Sequence, residues 1–108
     1  MAKIIILLLF ICNITYAQKA SYYASKFNGK KTANGKIFSN QELTCAHKTL
    51  PFGTELRVTN IKNNKSVIVK VTDRGPFIKG RIIDLSQQAF KSIASLNSGY
   101  ITVKIEIL

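Results

Sequence analysis

Acidic residues are scarce in this sequence: five Asp and Glu stand against sixteen Lys and Arg, a formal net charge of +11. Its 108 residues also include no Trp, one His, two Cys and two Pro. One His and two Cys cannot supply a zinc cluster or a disulfide framework, so we predict no metal site and no cofactor. The length excludes a dinucleotide-binding fold or a (β/α)₈ barrel and leaves room for one small domain.

The excess of positive charge predicts an anionic partner. Thirteen of the sixteen basic residues are Lys, whereas proteins that read nucleic-acid bases rely on the planar fork of Arg. We therefore predict no binding to nucleic acid. Two interpretations stay open, a solvated basic surface and attraction to the carboxylates and phosphates of a bacterial envelope.

The first seventeen residues predict a signal peptide. Lys3 precedes Ile4–Cys12, nine residues without a polar side chain, which suits a signal sequence and is shorter than the roughly 20 residues of a membrane span. Cleavage after Ala17 would export a mature domain of residues 18–108, with no transmembrane span. The alternatives are a lipoprotein signal at Cys12, disfavoured by the bulky Ile11 before it, and a buried N-terminal element.

Alternating apolar and polar residues predict several strands with one buried face. The clearest are 101–107, 66–71 and the run at Leu56 and Val58, with an earlier strand at 21–24. The side chains predicted to point inward are Val67, Val69, Val71, Val103, Ile105 and Ile107. Residues 61–65 predict a hairpin connection, because Asn tolerates the left-handed conformation of tight turns. Many short strands in this length indicate a small closed barrel, mainly β.

A single helix is predicted after these strands. Asp84 and Gln87 have the spacing of a capping box, with Asp84 as the N-cap, and Leu85, Ala89 and Ile93 continue an apolar stripe. Cys45 is predicted to be a buried thiol in the core. The alternative, a catalytic pair of Cys45 and His47, lacks an evident third group to orient it.

Asp73 is the acidic residue whose setting suggests chemistry. It follows the buried strand and begins Asp73-Arg74-Gly75-Pro76-Phe77, where Gly and Pro fix an irregular backbone. Active sites are often built where a rigid turn presents a carboxylate at the end of a strand. An Asp that only binds the backbone N–H groups of its own turn is an equally good interpretation on composition alone.

Several motifs, taken together and in order, resemble the rare-lipoprotein-A family. They are Ala20-Ser21-Tyr22-Tyr23, Phe27-Asn28-Gly29, Thr32-Ala33-Asn34-Gly35, Leu43-Thr44-Cys45-Ala46-His47-Lys48-Thr49-Leu50-Pro51-Phe52-Gly53, Val71-Thr72-Asp73-Arg74-Gly75-Pro76-Phe77 and Gly80-Arg81-Ile82-Ile83-Asp84-Leu85-Ser86. Together they cover residues 20–107. The resemblance implies a six-stranded double-psi β-barrel and an endolytic transglycosylase, which cuts peptidoglycan glycan strands without water and leaves a 1,6-anhydro end during wall remodelling or septation.

The same resemblance suggests roles for individual residues. Asp73 matches the family's key Asp, His47 its motif His, and Asp84 the Asp used by related expansins and glucanases. One carboxylate can suffice, because a residue that first donates a proton can later accept one. We predict that Lys36, Arg74, Arg81 and Tyr22 bind the substrate, that peptidoglycan is the partner, and that the protein is a monomer.

Two departures from the family pattern affect this prediction. Lys36 stands where members commonly carry Glu, and a positive charge beside Asp73 favours the ionised carboxylate, which opposes a general acid. A basic glycan-binding groove is compatible with it, so the rival hypothesis is a non-catalytic, expansin-like module that binds or loosens peptidoglycan. Many members also carry a glycan-binding domain after the barrel, and since this sequence ends at Leu108 we expect none here.

Overall fold

A computed structural model describes residues 18–108 of the chain. The predicted signal peptide and the alternatives at Cys12 lie outside the described residues. The described part contains six strands, one α-helix and two short 3-10 turns. The elements are β1 (Gln18–Tyr22), a turn at Ser25–Phe27, β2 (Thr44–His47), β3 (Glu55–Asn60), β4 (Ser66–Asp73), β5 (Arg81–Leu85), α1 (Gln87–Ile93), a turn at Leu96–Ser98 and β6 (Ile101–Ile107).

The six strands form a closed barrel in the order β1-β5-β2-β4-β3-β6. The pairs β1·β5 and β2·β4 are parallel, and the other four are antiparallel. Because parallel neighbours cannot be joined by a tight hairpin, longer segments cross between these strands. In this order β2 lies between β4, which contains Asp73, and β5, which contains Asp84.

The predicted alternation is confirmed for β3, β4 and most of β6. Val69, Val71 and Val103 are 0–1% exposed, and Val67 and Ile105 are also buried. Ile107 is 64% exposed, so the prediction that it points inward was wrong. It is the last residue of the final strand, where the barrel interior ends. The predicted turn between β3 and β4 is confirmed, with Asn64 in the left-handed conformation at φ 61°.

The helix begins two residues later than the capping-box spacing predicts. Ser86, not Asp84, is the N-cap: its hydroxyl accepts a hydrogen bond from the Ala89 N–H at 3.3 Å. Asp84 instead lies within β5, so its prediction as a helix cap was wrong. The capping-box spacing predicted the wrong N-cap because Asp and Ser are both favourable N-cap residues, and because β5 is followed directly by the helix. Ala89 and Ile93 are buried as predicted.

The core is assembled from the inner faces of the strands and the buried face of α1. Phe90 of the helix is fully buried and packs at a ring-centre distance of 4.8 Å from Tyr22. Cys45 is also fully buried, and burial raises the pKa of its thiol to about 12. A thiol with so high a pKa is not a nucleophile at neutral pH, so Cys45 is core packing as predicted. None of the helices in residues 18–108 has the length and apolar character that crossing a membrane requires.

Candidate active site

Two carboxylates flank the small side chain of Ala46 at one end of the barrel. Ala46 on β2 pairs with Asp73 of β4 on one side and with Asp84 of β5 on the other. Directly opposite residues on neighbouring strands face the same side of a sheet. The two Asp Cα atoms are therefore about 10 Å apart, two strand spacings, with Ala46 between them.

A one-residue irregularity in β4 places Asp73 on this face. Val67, Val69 and Val71 point into the core, so strict alternation would send Asp73 inward as well. Cys45 pairs with Val71, but the next residue of β2 pairs with Asp73, which leaves Thr72 as an extra residue. Such a bulge reverses the face of the residues that follow it. The carboxylate therefore faces the cleft and not the core.

A second irregularity, in β5, brings Arg81 to Asp84. Residues three apart in a regular strand face opposite sides. Lys19 pairs with Arg81 but Ala20 pairs with Ile83, so the register shifts between them. The shift lets Arg81 Nη2 donate to Asp84 Oδ1 at 2.9 Å. The result is an ion pair on the cleft side of the barrel.

The cleft around the two carboxylates has a volume of about 460 Å³ and combines charged groups with an apolar rim. Tyr22, Tyr23, Arg74 and Arg81 supply its polar groups besides Asp73 and Asp84. Phe27, Phe77 and Ile78 line its edge, and Phe77 is 80% exposed. The exposed rings give a flat apolar surface beside acids and cations, which is a suitable combination for a sugar chain.

Asp73 is held by three hydrogen-bond donors. Its Oδ1 accepts from the Ala33 N–H at 2.8 Å and from the Arg74 N–H at 2.9 Å. Its Oδ2 accepts from the Tyr23 hydroxyl at 2.5 Å. These donors fix the orientation of the carboxyl group. Asp73 therefore does more than cap its own turn, because two of the three donors come from distant loops.

Tyr23 is a residue of the site that the sequence analysis missed. Its ring stacks on Phe38 at 4.2 Å between centres and meets Phe27 edge-on at 5.8 Å. Burial, and after it the bond to Asp73, raises the pKa of the Tyr23 hydroxyl, so this group keeps its proton. Tyr23 directly follows Tyr22 in the Ala20-Ser21-Tyr22-Tyr23 motif, but it lies just beyond the end of β1, so strand alternation does not predict where its side chain points. Tyr22 lines the cleft, but its hydroxyl donates to the Leu96 carbonyl at 2.9 Å.

Comparison with known proteins places the chain in a family. The sequence model of the family described as "Lytic transglycolase" matches residues 15–105. The chain belongs to this family. Endolytic peptidoglycan transglycosylase RlpA of Pasteurella multocida is 51% identical over 89 residues, covering 82% of this chain and 30% of that protein. RlpA of Rickettsia felis is 55% identical over 92 residues, covering 82% and 40%.

These relatives confirm the resemblance to the rare-lipoprotein-A family. The chain spans between a quarter and two fifths of the length of the curated relatives it matches. The Streptomyces papain inhibitor superposes with a TM-score of 0.71 at 24% identity, covering 88% of this chain and 94% of the inhibitor. An apo expansin of Clavibacter michiganensis gives 0.69 at 21% identity, covering 88% and 50%. The predicted double-psi β-barrel is confirmed.

His47 lies next to the cleft without lining it. Its Nδ1 accepts from the Thr49 N–H at 3.2 Å and the Leu50 N–H at 3.1 Å, so a proton on the ring belongs to Nε2. Burial first, and then the charges of Arg74 and Lys48, lower the pKa of the imidazole and keep it neutral. Within residues 18–108 no hydrogen bond joins His47 to Asp73. The imidazole fixes the loop after β2 and leaves Nε2–H available.

Of the three basic residues predicted to bind the substrate, Arg74 and Arg81 line the cleft and Lys36 does not. Arg74 lines the cleft, but its Nη1 donates to the carbonyls of His47 at 3.1 Å and Leu50 at 2.8 Å, and its guanidinium lies 4.1 Å from the ring centre of Phe52. Arg81 lies in the cleft with Asp84. Lys36 is exposed on a separate loop, and its side chain does not line the cleft.

The loop that carries Lys36 nevertheless supports the site. Its backbone is fixed by the Asn34 side chain, whose Oδ1 accepts from the Lys36 N–H at 3.0 Å and from the Thr32 hydroxyl at 2.5 Å. The Asn34 N–H donates to the Thr72 carbonyl at 3.2 Å, next to the Ala33 N–H that binds Asp73. The Thr32–Gly35 motif is thus the element that delivers a donor to the carboxylate.

Asp84 differs from Asp73 in what surrounds it. Burial raises the pKa of its carboxyl above the usual 3.8, and the nearby Asp73 acts in the same direction. The bond and charge of Arg81 oppose the rise without cancelling it. The two acids of the cleft therefore have distinct environments, one rich in donors and one partly desolvated.

Proposed function

We propose that the chain cleaves the glycan strands of peptidoglycan without water, as an endolytic lytic transglycosylase. The observation that supports this best is Asp73, a carboxylate fixed by three donors in an open cleft with an apolar rim. The family and the names of its relatives agree with that chemistry. The exposed Phe77 ring and its neighbour Ile78 would contact the apolar faces of the sugars.

In the proposed reaction one carboxyl group serves twice. Protonated Asp73 gives its proton to the oxygen of the leaving sugar while the bond from that oxygen to the anomeric carbon breaks. The 6-hydroxyl oxygen of the retained sugar bonds to the anomeric carbon, and its proton passes to the Asp73 carboxylate. The atoms balance without water, and the residue returns to its starting protonation state.

Substrate binding would prepare Asp73 for the first step. In the free protein its three donors fix the orientation of the carboxyl group. A sugar chain in the cleft expels water, so that the proton passes directly between the carboxyl group and the sugar oxygens. The Tyr23 hydroxyl keeps its own proton and so holds the carboxyl orientation through both steps.

His47 and Asp84 have supporting roles in this proposal. The neutral imidazole has Nε2–H left over after Nδ1 has bound the loop, and this donor can orient a sugar oxygen. Asp84 and Arg81 form the opposite wall of the cleft and can bind sugar hydroxyls as an acceptor and a donor. Arg74 and Tyr22, which also line the cleft, would contact the bound sugar chain.

The test of the function is the chemistry of the products. The chain is incubated with purified peptidoglycan in water enriched in oxygen-18, and the soluble fragments are analysed by mass spectrometry. We expect 1,6-anhydro ends without the heavy isotope, and no product from the Asp73→Asn variant. Reducing ends that carry oxygen-18 would identify a hydrolase and refute the transglycosylase.

A second candidate is the non-catalytic, expansin-like module. The observation that favours it is that both carboxyl oxygens of Asp73 already accept hydrogen bonds from the protein, which leaves fewer positions on the carboxyl group for a proton to be donated. Binding to sacculi without any release of fragments, in both wild type and Lys36→Glu, would favour this module over the enzyme.

The location proposed for the chain is the bacterial envelope, where peptidoglycan lies. We propose a mature domain of residues 18–108 that acts as a monomer, with Cys12 removed together with the leader. N-terminal analysis of the exported protein should find Gln18 first. A lipid-modified Cys12 at the N-terminus would contradict this.

A further inference from the structure

A second pocket, of about 370 Å³, adjoins the cleft through a shared wall. Its lining comprises Gln18, Lys19, Lys48, Gly80, Arg81 and Ile82. Arg81 belongs to both spaces, because it also lines the cleft beside Asp84. Three cationic side chains and no carboxylate line this second pocket, which we call the basic pocket.

The concentration of positive charge in the basic pocket opposes folding. Lys19 and Arg81 are direct partners in the parallel pair β1·β5, and like charges in opposite positions destabilise a sheet. Asp84 neutralises Arg81 from the cleft side. Within residues 18–108 the ion pairs are Arg81–Asp84 and Arg57–Glu106, so neither Lys19 nor Lys48 has a carboxylate partner.

Two further observations concern the cations of the basic pocket: the ammonium group of Lys19 is held in position, and the guanidinium group of Arg81 has one N–H without a hydrogen-bond acceptor in residues 18–108. The Lys19 ammonium lies 5.0 Å from the ring centre of Tyr100, which holds it at the surface of β1. The Nε of Arg81 is buried and has no hydrogen-bond partner in the described part of the chain. An anionic ligand in the basic pocket would compensate the repulsion between its cations.

The proposed substrate carries such an anion at regular intervals. Every second sugar of a peptidoglycan strand is a muramic acid, whose lactyl carboxylate is free when no peptide is attached. When a peptide is attached, carboxylates of that peptide take its place. A strand in the cleft would bring one of these groups to the wall formed by Arg81.

We propose that the basic pocket binds a muramyl carboxylate of the strand that lies in the cleft. The inference rests on the proposed function, and it adds a reason why the site would prefer peptidoglycan to an uncharged glycan of the same linkage. Lys19 and Lys48 would bind the carboxylate as exposed cations, and Arg81 would join the basic pocket to the catalytic cleft.

The test compares three tetrasaccharides with the same β-1,4 linkage. One has free lactyl carboxylates, one carries peptides on the lactyl groups, and the third is chitotetraose, which has no carboxylate. Calorimetric titration into the Asp73→Asn chain at low salt measures binding without cleavage. We expect a muramyl ligand to bind about tenfold more tightly than chitotetraose, the equivalent of about 1.4 kcal/mol.

The double variant Lys19→Gln, Lys48→Gln should remove this preference and leave the binding of chitotetraose unchanged. The matched control is Lys65→Gln, an exposed lysine in the turn before β4, at the far end of that strand from Asp73. The free-lactyl and peptide-bearing ligands identify which source of carboxylate the basic pocket accepts.

Two negative outcomes separate this inference from the proposed function. Equal affinity for muramyl ligands and chitotetraose, or a preference that survives the double variant, would overturn the basic pocket and leave the glycan site intact. Failure of all three saccharides to bind would overturn the proposed function and the inference with it.

Discussion

Asp73 and Asp84 lie on either side of Ala46, yet their surroundings differ in almost every respect. Asp73 accepts three hydrogen bonds from a backbone turn, a loop and a tyrosine. Asp84 has one charged partner, Arg81, and burial raises the pKa of its carboxyl group. Two identical side chains at the same level of a barrel thus acquire different chemistry from the loops above them. Variants that change one acid or one of its partners at a time would separate the two roles.

Replacing Asp73 should have the largest effect on activity. Asp73→Asn keeps the shape of the side chain and removes the group that exchanges protons, so we expect release of anhydro fragments to fall by about 10³-fold or more. Asp84→Asn should reduce the rate far less, because Asp84 contacts Arg81 and not the proposed proton path. Product release measured by chromatography distinguishes them. A greater loss in Asp84→Asn than in Asp73→Asn would mean that the acid has been wrongly assigned.

Removing the Tyr23 hydroxyl should have the next largest effect. Tyr23→Phe preserves the stack on Phe38 and deletes one donor to Asp73, a charged hydrogen bond, so we expect about a tenfold loss in kcat. The loss should appear in kcat more than in KM, because the Tyr23 hydroxyl orients the reacting carboxyl group of Asp73. Tyr22→Phe, whose hydroxyl binds the Leu96 carbonyl, should leave kcat unchanged. A Tyr23→Phe enzyme with an unchanged kcat would reduce Tyr23 to a packing residue.

The raised pKa of Asp84 should make the free energy of unfolding depend on pH. Its pKa is higher in the folded protein than the usual 3.8, so the folded state binds the proton more tightly than the unfolded state. Between the unfolded-state and the folded-state pKa of Asp84, the free energy of unfolding falls as pH rises. Above the folded-state pKa the full cost of burying the charged carboxylate applies. Relative to Asp84→Asn, wild type should therefore gain stability from pH 7 towards pH 4. Urea unfolding at several pH values measures this difference, and a wild type that loses stability relative to the variant on acidification would show that Arg81 dominates.

Part of the architecture could be predicted from sequence because its signals are local, whereas the six-stranded double-psi barrel was implied by the family resemblance. Alternation at Val67, Val69 and Val71 and the Asn-rich turn ending near Asn64 each depend on neighbouring residues. The helix start was predicted wrongly, since Asp84 and Ser86 both satisfy a local capping rule and the choice depends on the pairing of β5 with β1 and β2. The local rule therefore located the helix but not its first residue.

The site was predicted only in part because its determinants are not local. Asp73 and Asp84 came from motifs, but the bulges that turn Asp73 towards the cleft and bring Arg81 to Asp84 arise from the pairing of strands distant in sequence. The donors on Asp73 come from Ala33 and Tyr23, 40 and 50 residues earlier in the chain. No periodicity in the sequence encodes such contacts. The same reason explains why Lys36, adjacent to the Thr32–Gly35 motif, does not line the cleft.

The smallest effect is expected from Lys36, and it concerns the loop that supports Asp73. Lys36→Glu restores the acid that family members commonly carry at this position, and it replaces a positive charge by a negative one on the loop that delivers the Ala33 N–H to Asp73. Because the Lys36 side chain is exposed, solvent and salt screen its charge. We therefore expect only about a two- to threefold rise in the release of anhydro fragments, larger at low ionic strength than at high.

Lys36→Gln is the matched variant that separates charge from the restored carboxylate. It removes the positive charge and leaves the Lys36 backbone contacts with Thr32 and Asn34 in place. If charge alone matters, Lys36→Gln should give about half of the gain of Lys36→Glu, because it changes the net charge by one unit and not by two. A large gain in Lys36→Glu with none in Lys36→Gln would instead show that a carboxylate at this position takes part in the reaction. In that case the reaction would use a third acidic residue besides Asp73 and Asp84, at position 36 of the loop, where the natural chain has Lys.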